Sequence, residues 1–219
     1  MAEISSQMVK ELRERTGAGM LDCKNALVEA KGAMESAIEI IRKKGLAKVN
    51  KRAGKTAAEG TIGVYKHAGE QVVSIVELNC ETDFVARGDE FKALAFDVAM
   101  QVAAMNPQYV TTEEVPAAVL EKEKEILRAQ LSPEQQAKAD KILPGKLEKF
   151  YEDRVLLKQL FVKDESGKKT VGDIINEYSA KCGEKVVVRR MQRFEVGEGI
   201  AKESTDFAAE VASMVQPTH

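Results

Sequence analysis

The sequence predicts an α+β protein, and three observations carry that prediction. Apolar residues recur at helical spacing over much of the chain, as in Met8-Val9-Leu12 and in Phe91, Leu94, Ala95, Val98, Val102 and Met105. A pair of strand-like runs, residues 60–67 and 71–79, is joined by the short turn Ala68-Gly69-Glu70, which predicts an antiparallel hairpin. A charged, helix-rich stretch at residues 112–158 follows that hairpin and its helix, and reads as an insert. The organisation expected is a three-helix domain at 1–45, a linker at 46–59, an α+β core with an antiparallel sheet at 60–200, and a C-terminal module at 201–219.

Within the first domain, residues 5–16 read as a helix capped by Ser5 or Ser6. Thr16-Gly17-Ala18-Gly19 breaks it, because both glycines reach positive φ at little cost. A second helix from about Met20 to Ala30 places Cys23, Ala26 and Leu27 on one face. Gly32 punctuates, and a third helix with Met34, Ala37, Ile38 and Ile41 is expected to stop near Gly45. Residues 46–59 carry Lys48, Lys51, Arg52 and Lys55 among Ala and Gly, which reads as a linker whose basic run is either solvated or placed to touch acidic surface on a partner.

In the insert, Leu120, Ile126, Leu127 and Leu131 mark one arm and Leu143, Leu147, Phe150 and Leu157 the other, a helical hairpin or small coiled coil. Ser132-Pro133-Glu134 is a helix start with Pro in the first position. Asp164 to Lys168 is a surface turn, and a helix follows Thr170. Residues 185–196 read as a strand interrupted by Arg189 and Arg190. Glu203 to Ala212 reads as a capped amphipathic helix whose Thr205-Asp206-Phe207 repeats an earlier triplet, either by duplication or by reuse of a good helix start.

That earlier triplet, Thr82-Asp83-Phe84, sits where the second strand meets the long helix ending at Asn106-Pro107. Thr82 or Asp83 can cap that helix. Phe84 has no local role: it is either a core plug, the commoner fate of an aromatic, or a probe aimed at a partner. Met20 and Leu21, beside the glycine turn, pose the same choice between core and binding surface.

Composition narrows the function classes. Apolar residues make up 44% and charged residues 31% of 219, with 5% aromatics and no Trp, as expected of a soluble, helix-rich protein with Ala and Leu cores. A net charge of −2 argues against direct nucleic-acid binding. Cys23, Cys80 and Cys182 form no C-x-x-C pair, which fits a reducing cytoplasm and no disulfide framework. No apolar run has signal-peptide or membrane-spanning form. His67 and His219 give no basis for a metal site or a His base, and neither a phosphate-cradling G-x-x-x-x-G-K-[ST] nor a hydrolase motif occurs. No cofactor, metal or catalytic residue is expected.

Two long motifs carry a family resemblance. Glu77-Leu78-Asn79-Cys80-Glu81-Thr82-Asp83-Phe84-Val85-Ala86-Arg87 and the stretch from Leu12 to Leu27, Leu-Arg-Glu-Arg-Thr-Gly-Ala-Gly-Met-Leu-Asp-Cys-Lys-Asn-Ala-Leu, resemble the signatures of the bacterial elongation factor Ts family. The resemblance implies that the first domain is ubiquitin-associated-like and that the insert is the family's coiled-coil projection. It implies a guanine nucleotide exchange factor that is not an enzyme. Such a factor binds elongation factor Tu, with GDP or nucleotide-free, dislocates Mg²⁺ and promotes GDP release. Thr82, Asp83, Phe84 and Val85 would supply the wedge, and Arg13, Met20 and Leu21 an N-terminal grip. The longest members carry two sets of core elements where this chain carries one, so a homodimer in a two-to-two complex with Tu is expected. The other function class is a non-catalytic, ubiquitin-associated-like adaptor with no effect on nucleotide.

Overall fold

The computed structural model describes residues 4–136 and 138–200. The expected helix at 203–212, with Phe207, and the module at 201–219 lie outside them.

Helices α1 (Ser6–Thr16), α2 (Met20–Glu29) and α3 (Met34–Arg52) form the N-terminal unit. Ser5 is the cap of α1, its Oγ accepting from the Met8 amide at 3.2 Å. Val9, Leu12, Cys23, Ala26, Leu27 and Ala37 close a small core, as the helical periodicity requires. Of the two glycines in the α1–α2 turn, only Gly17 adopts positive φ, at 65°. Gly19 keeps φ −63° as the N-cap of α2.

The expected end of the third helix at Gly45 is corrected: α3 continues to Arg52, through the first half of the anticipated linker. The reason is tertiary. Helix α9 (Val171–Cys182) runs beside α3, and Gly45 faces it so closely that an added Cβ would lie 3.0 Å from that of Ala180. Arg42 Nη2 donates to Asp173 Oδ1 at 2.8 Å across the same contact. The glycine that reads as a stop is where two backbones approach. The basic run is likewise not merely solvated, for Lys48 pairs with Asp22 at 2.9 Å and Arg52 with Glu81 at 2.8 Å.

The core sheet has the order β1 (Glu59–Lys66), β2 (Val72–Cys80), β3 (Val187–Glu195), antiparallel throughout. Alternation in β2 sends Ser74, Val76, Leu78 and Cys80 to one buried face, which α5 (Asp89–Met105) covers with Phe91, Leu94, Ala95, Val98 and Val102. Gly63 makes this contact feasible, since a Cβ there would sit 2.2 Å from the Ala95 carbonyl oxygen. The opposite face holds Ile62, Val64, Ile75 and Phe194, all exposed. Arg189 and Arg190 do not interrupt β3. A bulge opposite Glu77 and Leu78 absorbs one residue, so both arginines reach the Glu77 carboxylate and hold it below the usual carboxylate range.

The insert consists of α6 (Ala117–Ala129), the short α7 (Pro133–Gln136) and α8 (Ala139–Arg154), with α6 packed along α8. Its own small core comprises Val115, Phe150 and Val155. The chain returns to the main body through a buried amide pair. Gln101 Nε2 donates to Gln159 Oε1 at 3.2 Å and to the Leu160 carbonyl at 3.1 Å, while its Oε1 accepts from the Val162 amide at 2.9 Å. Helix α9 opens with a capping box between Thr170 and Asp173.

Candidate functional site

The exit of β2 is built residue by residue. Thr82 is in extended conformation, and its Oγ1 accepts from the Val85 amide at 3.4 Å. This caps a separate one-turn helix, α4 (Asp83–Ala86), not the long helix anticipated. Helix α5 begins only at Asp89, with Gly88 in extended conformation at its cap. Asp83 is not a cap. It lies in the first turn of α4 and pairs with Arg87 at 2.9 Å on the surface.

One turn of helix sorts the residues of α4 by direction. Val85 and Ala86 pack against the main core. Asp83 and Phe84 project outward, and Phe84 is 85% exposed. The core-plug reading of Phe84 is thereby excluded. A large aromatic kept in water on a fixed turn is unusual, because burial of such a side chain is worth about 1.5–3 kcal/mol.

The turn is fixed by contacts from distant sequence. Glu184, in the loop between α9 and β3, accepts at Oε2 from the Glu81 amide at 3.1 Å and the Thr82 amide at 3.0 Å. Its Oε1 accepts from the Thr82 hydroxyl at 2.6 Å. In return Glu81 Oε1 accepts from the Lys185 amide at 2.6 Å, and Arg52 donates to both Glu81 oxygens at 2.9 and 2.8 Å. Glu81 is therefore held below the usual carboxylate range, chiefly by the Lys185 amide and, against partial burial, by the Arg52 guanidinium. The Cys80 thiol, pushed up to about 11 chiefly by burial, stays protonated and donates to the Thr82 carbonyl at 3.1 Å. Lys185 Nζ donates to the carbonyls of Ala53 at 2.6 Å and Lys55 at 3.0 Å, tying the end of α3 to the same place.

The second predicted group lies apart. Arg13 is exposed on α1, and Met20 and Leu21 open α2 at 48% and 70% exposure. Their neighbours Cys23, Ala26 and Leu27 fill the core in their place. Arg52, Glu81, Glu184 and Lys185 escaped the sequence reading. Glu81 lay within the motif and Arg52 within the basic run, but nothing local to Glu184 marked it. Among the described residues no group of three His, Cys, Asp or Glu side chains is placed to hold a metal ion, and no helix is long and apolar enough to cross a membrane.

Two exposed apolar features thus stand on the surface, the outward Phe84 with Asp83 on a locked turn and, apart from it, Met20 with Leu21. The family model described as Elongation factor TS matches residues 2–198. The chain is 56% identical over 218 residues to elongation factor Ts of Desulforamulus reducens, covering 99% of this chain and 100% of that one. It is 55% identical over 215 residues to elongation factor Ts of Carboxydothermus hydrogenoformans, covering 97% and 98%. Against elongation factor Ts of Myxococcus xanthus the identity is 56% over 216 residues, 97% of each chain. The chain belongs to the elongation factor Ts family, translation elongation factors.

Proposed function

We propose that the protein is a guanine nucleotide exchange factor for elongation factor Tu and that Asp83 and Phe84 are its wedge. The observation that carries this is the 85% exposure of Phe84 on a turn fixed from three sides. GDP bound to a GTPase is held by backbone amides around its phosphates and by Mg²⁺, which demands near-ideal octahedral geometry. A rigid side chain that displaces those groups by an ångström or two removes much of the affinity, with no catalytic side chain and no cofactor. Linkage makes the effect reciprocal: the factor by which this protein weakens GDP is the factor by which GDP weakens this protein. It therefore engages Tu both with GDP and nucleotide-free, in the cytoplasm, and acts on protein rather than nucleic acid.

Thr82 sets the direction of the wedge, and Val85 anchors it against the core while adding a half-buried flank. The N-terminal unit, ubiquitin-associated-like in its three-helix arrangement, grips Tu through Arg13, Met20 and Leu21, whose exposure supports that role. The insert is the coiled-coil projection of the fold. The exposed sheet face of Ile62, Val64, Ile75 and Phe194 is suited to burial against a second copy, giving a homodimer and a two-to-two complex with Tu. A monomer by light scattering at all workable concentrations, alone and with Tu, would end that part of the reading.

The exchange reading is tested by mixing the chain with Tu carrying fluorescent GDP. Accelerated release that depends on protein concentration is expected. Binding without acceleration would make the protein an adaptor.

A further inference from the structure

Glu184 stands 102 residues from Thr82 in sequence, yet its carboxylate receives three hydrogen bonds from Glu81 and Thr82. Two amides share one oxygen and the hydroxyl takes the other. The hydroxyl bond has a directional consequence. By donating its proton to Glu184, Thr82 Oγ1 turns its lone pairs toward the Val85 amide, the bond that starts α4. Every polar atom of Thr82 is engaged, since its carbonyl accepts from Cys80 Sγ at 3.1 Å and from the Ala86 amide at 3.2 Å. Glu81 cannot substitute for Glu184, because its own carboxylate is occupied by Arg52 and the Lys185 amide. The Glu184 backbone is itself fixed, its carbonyl accepting from the Ser179 hydroxyl.

Thr82 is exposed, so water can satisfy its amide and hydroxyl if the carboxylate is removed. What is lost is then the single conformation of the turn more than the stability of the fold. Resting on the exchange reading above, we propose that Glu184 is the positioning residue that holds the Thr82–Phe84 turn in its wedge conformation before the partner GTPase arrives. Neutral Gln offers one acceptor oxygen and places an NH₂ group against an N–H or O–H donor. It therefore keeps part of the set and Ala keeps none.

The test uses the full chain carrying Glu184→Ala or Glu184→Gln, with Phe84→Ala as the reference for the exchange reading. Amide hydrogen exchange of the isolated proteins is read first. In E184A the Glu81, Thr82 and Val85 amides should exchange about tenfold faster or more, as expected for loss of a charge-assisted bond, while those of β2 and α5 keep their wild-type rates. GDP release from Tu is then measured against protein concentration. The maximal rate should fall about 10- to 100-fold, the scale of a misplaced reacting group, with the half-saturating concentration changing far less and E184Q recovering part of the rate. Unchanged protection of the three amides overturns the proposal. So does fast local exchange with wild-type release. A loss of release that only tracks unfolded protein, with β2 and α5 amides opening alike, overturns it too. If F84A releases GDP at the wild-type rate, the wedge reading fails instead, and the amide data still report whether Glu184 orders the turn.

Discussion

Phe84→Ala separates partner binding from folding. With 85% of Phe84 in water, the ring hides about 30 Å² of the roughly 200 Å² an aromatic offers. At about 25 cal/mol per Å² that burial is worth about 0.8 kcal/mol. Alanine also has the better helix propensity, by about half a kcal/mol, which offsets much of the loss inside α4. The expected change in unfolding free energy is therefore below about 1 kcal/mol, against about 3–5 kcal/mol for a buried Phe. Toward Tu the expectation reverses. A central aromatic hot spot costs about 2–4 kcal/mol on truncation, a loss of about 30- to 700-fold in affinity. Urea denaturation of the isolated variant and a fluorescent GDP-release trace with Tu measure the two quantities. A variant that unfolds far more easily yet, while folded, releases GDP at the wild-type rate would falsify the wedge.

Three further perturbations test the frame that carries the turn. Gly45→Val drives a branched side chain into Ala180 and should cost about 1–3 kcal/mol by overpacking, part of which Ala180→Gly restores; thermal melts of the single and double variants decide, and no loss in the single variant would show that α3 does not bear on α9 at that point. Gln101→Leu leaves the Leu160 carbonyl and Val162 amide without their partner, at about 2–4 kcal/mol, and a urea midpoint equal to wild type would contradict the role given to the buried amide pair. Asp164 accepts from the Ser166 hydroxyl at 2.6 Å and from the Lys168 and Lys169 amides at 2.8 and 2.9 Å, which lowers its carboxyl to about 2. A depressed folded pKa stabilises the native state above the unfolded value of about 3.9, and that contribution is lost as pH falls through about 2. The stability advantage of wild type over Asp164→Asn should therefore be constant near neutrality and shrink as the pH falls between about 4 and about 2; an advantage that does not change over that window refutes the assignment.

Much of the local structure was legible because it depends on neighbours in sequence. Helical periodicity locates α1, α2, α5 and α9, alternation locates the β1–β2 hairpin, and the helix expected after Thr170 begins there. The failures share one physical cause. Gly45 reads as a helix stop by propensity, a preference of about 1 kcal/mol against it, yet contact with α9 outweighs that preference and even requires the missing side chain. Arg189 and Arg190 read as a break because two consecutive charges cannot both alternate outward in a regular strand, whereas a bulge lets both serve Glu77. In each case the deciding partner lies far away along the chain.

The site divides along the same line. The motif singles out residues 82–85 as candidates, but the sequence leaves Phe84 open between core and surface, since spacing fixes the period of a helix and not the direction in which a single turn faces. Direction came from elsewhere. Val85 and Ala86 are drawn into the main core, and Thr82 is fixed by a carboxylate from the α9–β3 loop. The exposure of Phe84 is thus not an intrinsic property of Thr-Asp-Phe, and the same triplet placed without a Glu184 to receive its Thr amide and hydroxyl would be free to fold its ring inward.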